Sequence, residues 1–238
     1  MKQINQFINE YIINKKLDNP IDSEDHYNYC PKTKSELIEI IKNLLNDNQT
    51  DLNIIDVSKI TDMSELFDKI NQSIEINDID ISRWDVSKVT NMKYMFFGCS
   101  KFNCDLSSWN VSNVEDMIGM FQNCQNFTGK GLENWDVSNV ENTSFMFHDC
   151  HKFNCDLSNW DVSNVTNMNY MFNECGIFDC DLSNWDVSKV THMQHMFYRC
   201  YKFTGKGLEN WDVSNVTHMN DIFGKCTLLK NKPSWYKE

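Results

Sequence analysis

His192 and His218 fall at the same place in two copies of a repeated phrase, and His195 follows shortly after His192. Neutral imidazoles so arranged have the chemistry to hold zinc or another transition metal, which makes these three the candidate metal ligands. No acid and no third shared position joins them, so exposed rings that happen to stack are the competing reading, and no cofactor is assigned. The ten cysteines form a second set: Cys99, Cys124, Cys150, Cys175, Cys200 and Cys226 each sit fifteen residues after a tryptophan. Cys104, Cys155 and Cys180 make a further series, and Cys30 stands apart. No CxxC pair occurs, and the five-residue gap from Cys99 to Cys104 is not a finger-like spacing. A residue recurring once per repeat reads instead as a stacked column, here of reduced, buried thiols.

Carboxylates form the third set. Asp85, Asp136, Asp161, Asp186 and Asp212 each follow a tryptophan, Asn110 replaces the acid in one copy, and a serine comes two residues later. Stacked carboxylates are calcium ligands. The Gly-rich nonapeptide of calcium-binding β-rolls is missing, however, and Asn110 breaks the row. Asx- and ST-type turns are therefore the reading. There is no Gly-rich phosphate loop and no GxSxG elbow. No catalytic residue is assigned, and an enzyme is not expected.

These residues are positioned by one phrase, "WDVSNVTNMNYMFNEC" at 160–175, whose relatives begin at Trp84, Trp109, Trp135, Trp185 and Trp211. The tryptophans are 25 or 26 residues apart, and both longer units carry "FTGKGLENW" (127–135 and 203–211). Its extra glycines absorb the added residue in a turn. A worn earlier copy, "IDVSKITDMSELF" (55–67), places Ile55 where tryptophan is expected. Within a unit, Leu157, Trp160, Val162 and Val165 read as a short extended segment. Met168, Met171, Phe172 and Cys175 fall at i, i+3, i+4 and i+7, which predicts a helix of about two turns with Thr166 as its N-cap. One such unit cannot cover its own apolar face; stacked copies make a continuous core.

The ends do not repeat. Ile4, Phe7, Ile8, Tyr11 and Ile12 mark one amphipathic helix. "TKSELIEIIKNLL" has Thr33 and Glu36 in capping-box spacing, with Leu37, Ile38, Ile41, Leu44 and Leu45 on one face. The expected organisation is a helical N-terminal cap at 1–50, the repeats at 51–226 and a C-terminal cap at 227–238. The net charge of −12 argues against nucleic acid and against an anionic membrane surface as partner. No segment approaches the roughly 18 apolar residues of a spanning helix, and no secretory h-region is visible, so an intracellular chain is favoured.

The recurring "WDVSNVTNMxxMFxxCxxFNxDLS", with the lead-in "YCPKTKSELIEIIKNLL", resembles the BspA-like leucine-rich-repeat surface proteins, in their Trp-Asp-Val-Ser repeat branch. The resemblance implies a right-handed leucine-rich-repeat-like α/β solenoid of about seven 25–26-residue coils. It also implies a use in binding proteins or surfaces, without a defined biochemical activity.

If repeated positions build the core, varied ones build the surface. Ten residues after each tryptophan come Tyr94, Gly119, Phe145, Tyr170, His195 and Asp221; thirteen after come Phe97, Gln122, His148, Asn173, Tyr198 and Gly224. Aromatic residues are favoured anchors in interfaces. Tyr94, Phe97, Phe145, Tyr170, His195 and Tyr198 are therefore the candidate partner-binding residues of a non-catalytic interaction scaffold, its protein partner unidentified and its oligomeric state open. The alternatives are a self-assembling structural protein and a metal- or carbohydrate-binding module.

Overall fold

The computed structural model describes residues 27–76 and 78–237. The expected helix over Ile4–Ile12 lies outside them. The helix over 34–46 forms as α1 (Lys34–Asn46), and it does so for the reasons its sequence carries. Thr33 Oγ1 accepts from the Glu36 amide at 3.2 Å, the Glu36 carboxylate reaches back to the Lys32 amide at 2.7 Å, and Leu37, Ile41 and Leu44 are buried. A second short helix, α2 (Leu66–Asn71), packs against α1, and Lys34 ties α1 to the first repeat through Asp62 (2.7 Å) and the Ser64 carbonyl (3.1 Å).

The backbone after α2 overturns the expected leucine-rich-repeat-like α/β solenoid. Beyond α1 and α2, the described residues hold only a short 3-10 turn at Leu208–Asn210, and no sheet: eight isolated parallel bridges are the whole of the strand structure. The chain is mostly turns, so neither the strand nor the two-turn helix expected in each unit forms, and the expectation of seven α/β coils under a helical cap fails with them.

The reason lies in where the backbone bonds go. In a helix, each amide would reach back four residues within its own segment. Here Met168, Tyr170, Phe172 and Glu174 donate instead to carbonyls of the next unit, those of His192, Gln194, Met196 and Tyr198, at 2.8–2.9 Å. The intervening amides of Met171, Asn173 and Cys175 close tight turns onto carbonyls three residues back. Tyr170 and Glu174 take positive φ (58° and 64°), a left-handed conformation that no α-helix tolerates. Thr166, expected to cap a helix, sends its hydroxyl to Glu141 O at 3.2 Å.

The apolar pattern nevertheless fixes which residues go inside, and equivalent residues stack in register. The bridges run Asp62, Asn91, Asp116, Asn142, Asn167, His192, His218, each paired with the next. Phe96, Phe121, Phe147, Phe172, Phe197 and Phe223 form one ladder with centroids 5.4–5.9 Å apart. Each of the first five also packs within 4.0–4.2 Å of a second phenylalanine of its own unit. Each buried tryptophan finds an acceptor for its indole N–H in the preceding unit: Trp160 Nε1 donates to Leu132 O at 2.8 Å, Trp185 to Leu157 O at 2.9 Å. Trp235 continues this column, stacked on Trp211 at 6.3 Å and bonded to Leu208 O, although the motif around it has faded.

None of the ten cysteines forms a disulfide. Cys124, Cys150, Cys175, Cys200 and Cys226 form the expected column, each thiol donating to a phenylalanine carbonyl of the preceding unit at 2.9–3.0 Å. The polar positions make Asx turns, Asp161 Oδ1 accepting from the Ser163 amide at 3.0 Å. Asn110 does the same for Ser112, which is why its amide replaces the acid without loss. The "GKG" variants serve the preceding turn. Gly131 and Gly207 take positive φ and lie so close to the amides of Ser107 and Ser183 that a Cβ would sit 2.2 Å away. Lys130 and Lys206 then pair with Asp105 and Asp181 of those same turns.

Candidate functional site

Two neighbouring columns on the turn face carry the candidate residues. One holds Tyr94, Gly119, Phe145, Tyr170, His195 and Asp221, all at positive φ between 52° and 60°. The backbone there is left-handed because adjacent amides donate outward to the next unit while their neighbours close turns inward. Glycine and asparagine take that conformation at little cost; a bulky side chain pays about 1–2 kcal/mol for it. The aromatic residues of this column and of the Phe97–Tyr198 column are half-buried, neither in the core nor fully in water.

They touch one another. Phe145 stacks on Tyr170 at 4.7 Å with the rings 6° apart, and Tyr170 meets His195 at 4.8 Å. Phe97 lies edge-on to Tyr94 at 5.8 Å, and Tyr198 edge-on to His195 at 5.5 Å. His148 packs edge-on against Phe145 and Tyr170, its Nδ1 buried without a hydrogen-bond partner among the described residues. The stack is interrupted once. Gly119 places no side chain between Tyr94 and Phe145, and the Tyr94 ring leans over it: a Cβ at Gly119 would meet Tyr94 Cε1 at 2.2 Å. There a groove of about 430 Å³ opens, lined by Glu65, Asp68, Tyr94, Phe97, Gln122 and Phe145.

The six residues picked out from the sequence therefore divide. Tyr94, Phe97 and Phe145 line the groove, while Tyr170, His195 and Tyr198 extend the ring surface beyond it. Sequence reasoning missed Glu65, Asp68 and the groove. The signal was present, because Glu65 and Asp68 stand ten and thirteen residues after Ile55 and so head the same two columns in the worn first copy. Glu65 even shares the left-handed backbone, with φ 54°.

The groove is acidic. Glu65 is paired with Lys69 at 3.1 Å on the surface. Asp68 has no ion pair among the described residues; its carboxyl sits above the ordinary range chiefly through burial, with the Glu65 charge adding and a hydrogen bond from Gln72 opposing. Cations already face two rings of the stripe, Lys93 over Tyr94 at 5.6 Å and Arg199 over Tyr198 at 5.3 Å.

Of the candidate metal ligands, His192 and His218 stack as their shared position implies, 4.4 Å apart and 5° from parallel, and each ring's Nδ1 is engaged by the neighbouring threonine hydroxyl at 2.8 Å. His195 faces Tyr170, Tyr198 and Asp221, not His192's partner. Among the described residues, ligand atoms converge instead at Asp149, His151 and Glu174, within 4.8 Å of one another. Both carboxylates there are already paired, Asp149 with His151 at 2.7 Å and Glu174 with Arg199 at 2.8 Å.

The thiols offer no ready nucleophile in the column. Burial, first among the causes, pushes Cys124, Cys150, Cys175 and Cys200 far above the usual thiol range, and Cys226 up to about 12. Among the described residues no helix is long and apolar enough to cross a membrane.

No curated protein and no solved structure matches the chain. The family model described as "Mycoplasma protein of unknown function, DUF285" matches twice, over residues 35–132 and 123–236, which takes in α1 and the stacked units together. The chain accordingly belongs to the DUF285 family.

Proposed function

We propose that the protein is a non-catalytic interaction scaffold that binds a protein partner through the turn face carrying Tyr94, Phe97, Phe145, Tyr170, His195 and Tyr198. One observation carries this reading. Tyr94, Phe145, Tyr170 and His195 occupy a left-handed backbone position where Gly119 shows that glycine serves, and they remain half-exposed. Ring stacking offsets about 0.5–1.5 kcal/mol per pair, comparable to the backbone cost, so the stack gives little net stability to explain its presence. A half-exposed, pre-ordered aromatic surface loses little side-chain entropy on docking, which is what an anchor surface needs. The resemblance to BspA-like surface proteins supports the same class of function.

The test is a pull-down from the native source with the full chain and with a Tyr94→Ser/Phe145→Ser/Tyr170→Ser variant, both checked by light scattering for the same assembly state. A partner retained by the first and lost by the second is the expected result. A partner retained equally by both sinks the reading.

A second reading, self-assembly, is favoured by a different feature. The amides of Met219, Asp221, Phe223 and Lys225, equivalent to those that bond the next unit elsewhere, have no following unit among the described residues. Val213, Val216 and Met219 are only partly buried there, whereas their counterparts inside the stack are covered. Concentration-dependent mass in light scattering would move the weight to this reading.

A further inference from the structure

Three features stand outside the scaffold reading: the Asp149/His151/Glu174 cluster, the row of outward amides at 219–225, and the acidic groove at Gly119. The cluster's carboxylates already have partners, and the amides lack anything that says what covers them. The groove carries an inference, and it rests on the partner-binding reading of the same face.

We propose that the groove bounded by Glu65, Asp68, Tyr94, Phe97, Gln122 and Phe145 receives an arginine or lysine side chain from a basic segment of the partner protein. Three observations agree on that chemistry. Tyr94, Phe97 and Phe145 supply ring faces and edges around the groove, the Tyr94 ring lying over Gly119 where no side chain displaces it. Ring faces attract cations, most strongly where water is partly excluded, and two rings of this stripe already face cations of their own chain. Two carboxylates stand at one end. Of these, Asp68 lacks an ion pair among the described residues, while Glu65 has only an exposed one, which a bound cation displaces at small cost.

Charge complementarity extends beyond the slot. Asp221 lies at the far end of the same column, so the aromatic surface is bracketed by acids, and the whole chain carries a net charge of −12. A segment with basic residues spaced along it would be drawn to this face by the overall field and held by the slot. Gln122, midway along the lining, adds an amide able to bond a guanidinium or the peptide backbone.

The experiment measures anisotropy of a dye-labelled hexa-arginine peptide with the full chain, against hexa-citrulline, its neutral counterpart. Three variants are compared. Glu65→Gln/Asp68→Asn removes the groove charges, and Tyr94→Ser/Phe145→Ser removes the rings. Glu115→Gln/Glu141→Gln removes two exposed charges from another column. The expected result is binding of arginine over citrulline, weakened about tenfold by either groove variant and unchanged by the third. Equal weakening by all three charge and ring variants, or none by Glu65→Gln/Asp68→Asn, overturns the inference, because binding would then follow overall charge alone. Should the ring variant fail to fold, the Glu65→Gln/Asp68→Asn pair decides by itself, since neither side chain is part of the core. In the pull-down, a partner lost by the ring variant and kept by Glu65→Gln/Asp68→Asn removes the cation while leaving the partner-binding face intact.

Discussion

At the scale of single residues, the tryptophan and cysteine columns of the core both fill space and serve backbone carbonyls. Trp160 stacks in its column and also donates to Leu132 O, so Trp160→Phe keeps most of the packing but removes one of that carbonyl's two donors, leaving the Trp135 amide. A loss of about 0.5–1.5 kcal/mol from the hydrogen bond is expected in a denaturant melt. Cys175 makes the same point in a smaller group: Cys175→Ala removes the thiol that serves Phe147 O, whereas Cys175→Ser keeps a donor at that place. The alanine variant is expected to melt lower than the serine variant. In the folded protein at pH 8, thiol reagents are expected to leave Cys124, Cys150, Cys175 and Cys200 unmodified, as mass spectrometry would show, because burial holds them protonated. Gly119→Ala is expected to cost about 1 kcal/mol from its φ of 56° and to displace the Tyr94 ring, changing the shape of the groove it lines. Its readout is a melt together with the peptide anisotropy.

At the scale of elements, the sequence showed which residues are buried more faithfully than the backbone path that buries them. Met168, Met171, Phe172 and Cys175 are all in the core, yet the spacing of three and four residues belongs to consecutive tight turns as much as to a helix. Composition held a clue against the helix. The position fourteen residues after each tryptophan includes Gly98, Asn123 and Asp149, the residue types that accept a left-handed backbone, and all are found there. Tyr94, Phe145 and Tyr170 masked the same signal at the position four residues earlier, since aromatic residues do not announce positive φ. The Asx turns were legible because Asp, Val and Ser recur at fixed offsets, and α1 because Thr33 and Glu36 bracket its start. Of the candidate site, the aromatic columns were legible; the groove was not, because it depends on how far Tyr94 leans over Gly119.

The "GKG" turns yield two further expectations at this scale. Gly131→Ala must place a Cβ 2.2 Å from the Ser107 amide at a φ of 93°, and a loss on the order of 2–3 kcal/mol is expected in a melt. Asp105 and Asp181 are held down to about 2, first by the Lys130 and Lys206 side chains and then by the serine amides. An unfolded aspartate titrates near roughly 3.9, so this contribution is complete above that pH and is lost as the pH falls toward 2. Both pairs are exposed, so the effect is small and salt-sensitive. Acid melts of Lys130→Met/Lys206→Met are expected to lose stability less steeply over that interval than the parent.

At the scale of the molecule, the columns couple each unit mainly to its immediate neighbours. Phe147 touches Phe121, Phe153, Trp160 and Phe172, all from its own unit or the two beside it. Phe147→Ala is expected to cost about 3–5 kcal/mol. Removing residues 160–184 entirely, by contrast, joins equivalent positions, and that shortened chain is expected to fold with a reduced melting temperature, tracked by circular dichroism.

The forward run of turn amides also gives the stack a direction. From Met92 to Arg199, alternate amides of each unit give their hydrogens to carbonyls of the next unit along, so Met219, Asp221, Phe223 and Lys225 present a row of donors with the half-covered Val213, Val216 and Met219 nearby. Two copies meeting at that edge about a two-fold axis would set donor against donor. Any segment or partner that covers these amides must therefore bring carbonyls or an anion to them.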